Sequence, residues 1–263
     1  FVITNSGHYV ALEHSDGASR IATIESPWAL SPRQSIGSAI VVRADAPLRT
    51  LADLAGKHVL AVDPDAFGGY QIAQRELLEA GVDSERDLAK LQFTGFPLQQ
   101  IVHAVRERRA DAGIVRICML EEMVRSGEIG AGQLRVLAPR ARQGLPNLVA
   151  LYPDWPIAAL RHTPAQLARQ VAIALLSMPP SAHGYRWAVP ADYQRVDELF
   201  RELKIGPYAY LRQWTFEGFL QRYWGWLSVI LAILVAWSVR TVRVEQLVSQ
   251  RTRALRLAQD EQS

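Results

Sequence analysis

Gly56–Leu77 reads GKHVLAVDPDAFGGYQIAQREL, and the order of its parts decides the fold. HVLAV is an apolar, β-rich run, DPDAFGG is a glycine-bearing loop, and a helix is expected from Tyr70 to about Ala80. Strand, loop and helix repeat on both sides. FVIT (Phe1 to Thr4) reads as a strand capped by Asn5 and Ser6, with GHYVALEH helical after it. IATIE (Ile21 to Glu25), IGSAIVVR (Ile36 to Arg43), LQF (Leu91 to Phe93), AGIV (Ala112 to Val115), LRVL (Leu134 to Leu137) and NLVALY (Asn147 to Tyr152) read as strands. Helices are expected over Leu48 to Gly56, from Pro97 to about Arg108, over Met119 to Ser126, from Pro164 through PAQLARQVAIALLSM, and over Asp192 to Leu203. In the Pro164 helix, Leu167, Val171, Ala174, Leu175 and Met178 share one face. Strands alternating with helices argue for an α/β fold with mostly parallel sheets.

The same spacing locates candidate binding residues. A strand that turns into a helix through glycines aims backbone N–H groups and the positive helix end at one spot, which suits an anion. Phe67, Gly68, Gly69 and Tyr70 would line that spot, although a plain βα turn has the same pattern. The loop has neither the lysine of a P-loop nor dinucleotide spacing. In open α/β sheets ligands sit beyond strand ends. Asn5, Ser6, His8 and Tyr9 follow FVIT, Thr94, Gly95 and Phe96 follow LQF, and Arg116 follows AGIV. An arginine there can pair bidentately with an anionic oxygen group, or form a structural ion pair with Asp111 or Glu121. His8 reads equally well as a surface histidine. Cys118 is either a small buried side chain or a thiol activated by its arginine neighbour. It is the single cysteine, so no disulfide forms within the chain. No metal-ligand spacing and no catalytic constellation occurs, and no cofactor is expected in this chain.

The 263 residues carry a net charge of +3, and the basic excess is local rather than a nucleic-acid footprint. Tyr223–Val239 reads YWGWLSVILAILVAWSV, uncharged and bracketed by Arg222 and Arg240. A bilayer span needs roughly 17–25 apolar residues, and tryptophans sit at both ends of the run as an aromatic belt would. Arg240, Arg243, Arg251, Arg253 and Arg256 follow it, so the C-terminal side is expected in the cytoplasm and the larger N-terminal part outside. Val244, Leu247 or Val248, Arg251, Ala254 or Leu255, and Ala258 give a short heptad stripe, read either as a solvated basic helix or as a dimeric signalling helix. The chain opens on Phe1 in what reads as mid-strand, so a signal peptide and further N-terminal structure are expected ahead of it.

The stretches FVITNSGHYVALE, GKHVLAVDPDAFGGY, LQFTGFPLQQIVHAV, ADAGIVRICMLEEM and ALYPDWPIAAL together resemble the phosphate/phosphonate-type periplasmic binding domain, in the version fused to sensor histidine kinases of the tetrathionate-sensor type. SQRTRAL is similar to the linker that leads into a kinase dimerisation helix. The resemblance implies a two-lobed Venus-flytrap sensor domain over 1–205, a juxtamembrane connector over 206–222, a transmembrane helix over 223–240 and a cytoplasmic signalling helix over 241–263. It places a first strand and helix ahead of Phe1 and a kinase core, with its ATP and Mg, after Ser263. It implies a small anion between the lobes, hinge strands near Val41 and Val149, a homodimer in a bacterial inner membrane, and a response regulator as partner. Phosphonate binders of this family carry Ser/Thr hydroxyls where this chain has Ala66, Phe67, Gly68 and Gly69, which favours another ligand such as a sulfur oxyanion. The rival expectations are a membrane-anchored substrate-binding component of an ABC transporter, a cyclase or chemoreceptor input domain, and an enzyme of the bilobed α/β class.

Overall fold

The computed structural model describes residues 1–29, 31–137 and 150–212, and within 223–240 residues 223–226, 228–231, 233, 234, 237 and 240. Phe1–Tyr208 forms one compact unit and Ala209–Ser263 a second. The first unit contains nine strands in two sheets, among the described residues.

The smaller sheet has the order β1 (Val2–Ile3), β8 (Pro156–Ala159), β2 (Ser19–Glu25), β9 (Arg186–Ala188), with every pair antiparallel. The larger sheet runs β5 (Lys90–Phe93), β4 (His58–Ala61), β6 (Ala112–Arg116), β3 (Ser38–Arg43), β7 (Leu134–Val136). Only β5, β4 and β6 are parallel neighbours. This corrects the expectation of mostly parallel sheets, for a topological reason. β1 and β2 do run in the same direction across helix α1 (Ser6–Asp16), but β8 returns from far along the chain and inserts between them. β3 is likewise antiparallel to β6 and β7.

Side-chain alternation divides the larger sheet's residues between two cores. Val41, Leu60 and Val115 pack with Ile101, Val102 and Val105 of α3 (Gln99–Arg106) and with Met119 and Met123 of α4 (Met119–Arg125). Ile40, Val42, Val59 and Ile114 pack with Ala73 and Leu77 of α2 (Ile72–Glu79), and with Leu54 of a short 3-10 turn where a helix from Leu48 to Gly56 was expected. α3 lies so close to β6 that a Cβ on Gly113 would sit 2.4 Å from Cγ2 of Ile101. Gly113→Ala should therefore cost roughly 1 kcal/mol, as Ile101 gives way to overpacking. A urea midpoint unchanged from wild type would contradict that close approach.

The smaller sheet packs Tyr9 and Val10 of α1 against Tyr193, Val196, Leu199 and Phe200, the last three from α6 (Gln194–Leu203). α5 (Ala165–Leu176) lies against β2 and β9 and has no fully buried residue. Of its expected apolar face, Val171 and Leu175 are half-buried, while Leu167, Ala174 and Met178 are exposed.

The chain passes between the sheets side by side with itself. Ile36 and Tyr152 form an antiparallel bridge, with Ile36 N donating to Tyr152 O at 2.9 Å and Tyr152 N to Ile36 O at 2.8 Å. The crossover is therefore at Ile36 and Tyr152. Val41 sits inside β3, and residues 147–149 of the expected strand Asn147 to Tyr152, Val149 among them, lie outside the described residues.

In the second unit, the described residues of 223–240 are helical and exposed. Among the described residues, no helix is long and apolar enough to cross a membrane. The expected span passes through residues outside that set, as do residues 213–222 of the connector and the whole heptad stripe after Arg240.

Candidate functional site

A cleft of about 390 Å³ opens in the first unit where both crossing segments meet the Phe67–Gln71 turn. That turn is a single π-helical turn running straight into α2. As at any helix start, its first N–H groups have no intrahelical carbonyl to bond. Ser38 Oγ donates to Gly68 O at 2.7 Å and pins the turn to β3. A Cβ on Gly69 would lie 2.5 Å from Cγ1 of Val62, so close approach, not backbone conformation, requires glycine there.

Arg116, at the end of β6, is the one cationic side chain lining the cleft among the described residues. Its Nη2 donates to Glu122 Oε2 at 2.6 Å, so its structural partner is Glu122 rather than Asp111 or Glu121. The pair stays partly exposed and contributes little to folding.

Another part of the cleft wall is built around Asp154. This buried carboxylate accepts from Ser26 Oγ, from Ser35 Oγ at 2.6 Å and from the Trp155 N–H at 2.8 Å. Its backbone carbonyl accepts from the Tyr193 hydroxyl. Asp154 thus ties the β2–β3 crossover to the β8 crossover. Trp28, Trp155, Tyr185 and Trp187 add an aromatic wall, with the Trp28 and Tyr185 rings edge to face at 5.4 Å. Burial pushes the Tyr185 hydroxyl up from its usual range; Arg116 opposes the shift, and Asp154 and Glu122 reinforce it. All four groups therefore share one electrostatic environment.

Of the residues expected to bind ligand, Asn5, Phe67, Gly68, Gly69 and Arg116 come together around this cleft. Asn5 also caps α1, its Oδ1 accepting from His8 N at 2.9 Å. His8 lines a neighbouring pocket with Asp63 and Asp65, and its Nδ1 lies 2.8 Å from Thr4 Oγ1. Thr94 and Gly95 continue the backbone pairing beyond β5, their N–H groups donating to Ala61 O and Val62 O; the adjacent Phe96 is the residue that reaches the cleft. Tyr70 faces the other side of the larger sheet, buried with its hydroxyl 2.9 Å from Ser84 Oγ. Cys118 packs with Ile117 and Leu151, and burial together with Glu121 and Glu122 pushes its thiol up, away from an activated thiolate.

Tyr9 is wholly buried, donating to Glu13 Oε1 at 2.7 Å and stacked edge to face on Tyr193. Burial first, then the Glu13 bond, pushes its hydroxyl from the usual 10 up to about 12. A raised folded-state value means this stabilisation is complete below pH 10 and is lost as pH rises through about 12. The thermal midpoint should fall over that window, and more gently in Tyr9→Phe. Equal slopes would contradict the assignment.

The sequence reading missed Trp28, Trp155, Tyr185 and Trp187. Their signal was aromatic residues in the segments SPW, PDWP and GYRW, which are far apart in the chain.

A two-lobed α/β unit with a cleft at its crossover is the architecture of a periplasmic solute-binding protein. The chain belongs to the family described as the phosphonate periplasmic substrate-binding protein of ABC transporters, matched over residues 1–202. It is 38% identical over 210 residues to the tetrathionate sensor histidine kinase TtrS of Salmonella typhimurium, a match covering 79% of this chain. The match spans 35% of the length of that relative. Among solved structures, PhnD1 from Prochlorococcus marinus in complex with methylphosphonate is similar with a TM-score of 0.61 and 14% identity, over 77% of this chain and 78% of that one. XAC2383 from Xanthomonas citri bound to chloride ion is similar with a TM-score of 0.57 and 17% identity, over 75% and 74%. At these identities the two structures speak for the fold alone.

Proposed function

We propose that this chain is the ligand-sensing and membrane-anchoring part of a two-component sensor histidine kinase, and that its cleft binds a small anion between the two sheets. The observation that carries the ligand reading is Arg116, the one lining cation among the described residues, beside the glycine-bearing helix start at Gly68 and Gly69. Guanidinium and outward-facing amides together form a donor set for an oxyanion. The identity to a tetrathionate sensor kinase supports the sensor role and makes a sulfur oxyanion such as tetrathionate the first ligand to try. The first unit would lie in the periplasm, the run 223–240 would cross the inner membrane, and a homodimer would pass the signal to a kinase core and a response regulator.

Ligand binding can bias the equilibrium between open and closed lobes only through contacts made better in one of them. The crossover at Ile36 and Tyr152 is the natural pivot. α6 follows β8 and β9 and leads towards residue 206, so closure would be felt at the connector. The test is autophosphorylation of the full-length protein in membrane vesicles, with tetrathionate supplied on the periplasmic side. The reading expects a ligand-dependent change in phosphorylation; none at saturating ligand would count against it. The family match itself favours a second reading, the binding component of an ABC importer. That reading expects uptake of the ligand and no kinase core in frame after Ser263.

A further inference from the structure

The anion reading accounts for one side of the cleft and leaves the aromatic side without a use. Resting on that reading, we propose that the cleft selects a sulfonate-class anion bearing an apolar or soft body, with the body lying on Trp28, Trp155 and Trp187. Three observations carry this. The cavity of about 390 Å³ falls within the roughly 300–1,000 Å³ of pockets that hold organic ligands, so it has room for more than an anionic head. Part of the cleft wall is indole and phenol, and Trp155 is 47% exposed, apolar area that a ligand body would cover. None of the three indole N–H groups has a hydrogen-bond partner among the described residues, so the wall also offers donors.

The chemistry of the anionic end follows from Asp154. It is the only carboxylate lining the cleft among the described residues, and it already accepts three hydrogen bonds from Ser26, Ser35 and Trp155. A phosphate-type group carries a proton near neutral pH and needs an acceptor for it. A sulfonate carries none. With three of the roughly four acceptor sites of this carboxylate already taken, the cleft has little charged acceptor capacity left and suits an unprotonated anion.

The experiment is calorimetric titration of the intact chain and of Trp155→Ala and Trp187→Ala with sulfate, methanesulfonate, hexanesulfonate, tetrathionate, methylphosphonate and hexyltrimethylammonium. Hexanesulfonate and tetrathionate should bind at least about tenfold tighter than sulfate, and methanesulfonate tighter than methylphosphonate. Each tryptophan truncation should weaken hexanesulfonate or tetrathionate by roughly 30-fold while leaving sulfate nearly unchanged. Sulfate binding as tightly as the body-bearing sulfonates, or wall variants that weaken every anion equally, would overturn this inference and leave the anion site standing. Binding of hexyltrimethylammonium with no sulfonate bound would overturn the anion reading and this one with it.

Discussion

Asp154→Ala should lose about 3–5 kcal/mol of folding stability, the largest effect expected of any single substitution in this chain. The carboxylate is buried and takes hydrogen bonds from Ser26, Ser35 and Trp155 N, and both serines are themselves buried. Truncation leaves two buried hydroxyl donors and one part-buried N–H unsatisfied, each buried one costing about 1–3 kcal/mol. Release of the carboxylate's own desolvation cost offsets part of that sum. Asp154→Asn keeps the shape and one carbonyl acceptor, so it should cost less than half as much. The measurement is the urea midpoint at an unchanged slope, and a loss below 1 kcal/mol would show that the hub does not hold the crossover. Because the hub joins the crossover around Ser35 to the one that carries Trp155, Asp154→Ala should weaken ligand binding along with stability.

Arg116→Ala should behave in the opposite way, with little effect on folding and a large one on binding. Its ion pair with Glu122 is 2.6 Å long but partly exposed on both sides, a setting where such pairs contribute about 0–1 kcal/mol. A charged hydrogen bond to a desolvated anion is worth about 1.5–3 kcal/mol, so the dissociation constant should rise roughly 10- to 150-fold. Glu122, left without its partner beside the cleft, adds repulsion to any anion. Arg116→Lys keeps the charge but not the fork, and should recover only part of the affinity. Affinity unchanged within twofold would return Arg116 to a purely structural role.

The local half of this fold was legible in the sequence. Short apolar, β-rich runs located β3, β4 and β6, and the Gly56–Leu77 pattern located the turn that starts α2. Pairing between distant strands was not legible. Pro156–Ala159 is four residues long and opens on proline, which demotes a run as a strand, yet β8 is the strand that separates β1 from β2. β9 is shorter still. The site split the same way. Arg116 and the glycines were found because strand-end and βα-turn rules are local. Tyr9 and Tyr70 were assigned to the ligand from their neighbours in sequence, but the periodicity of their helices turns both inward. The aromatic wall depends on two loops and the edge strand β9 converging, and nothing in any one of them announces the others.

The central claim is that the cleft binds a small anion, and the most direct test is thermal unfolding of the intact chain against a panel of tetrathionate, thiosulfate, sulfate, phosphate, phosphonates and small carboxylates. A ligand at a hundred times its dissociation constant stabilises the folded state by about 2.7 kcal/mol, a rise of roughly 5–10 °C for a unit of this size. The account predicts such a rise with a sulfur oxyanion, lost in Arg116→Ala. A midpoint that no anion moves would contradict it.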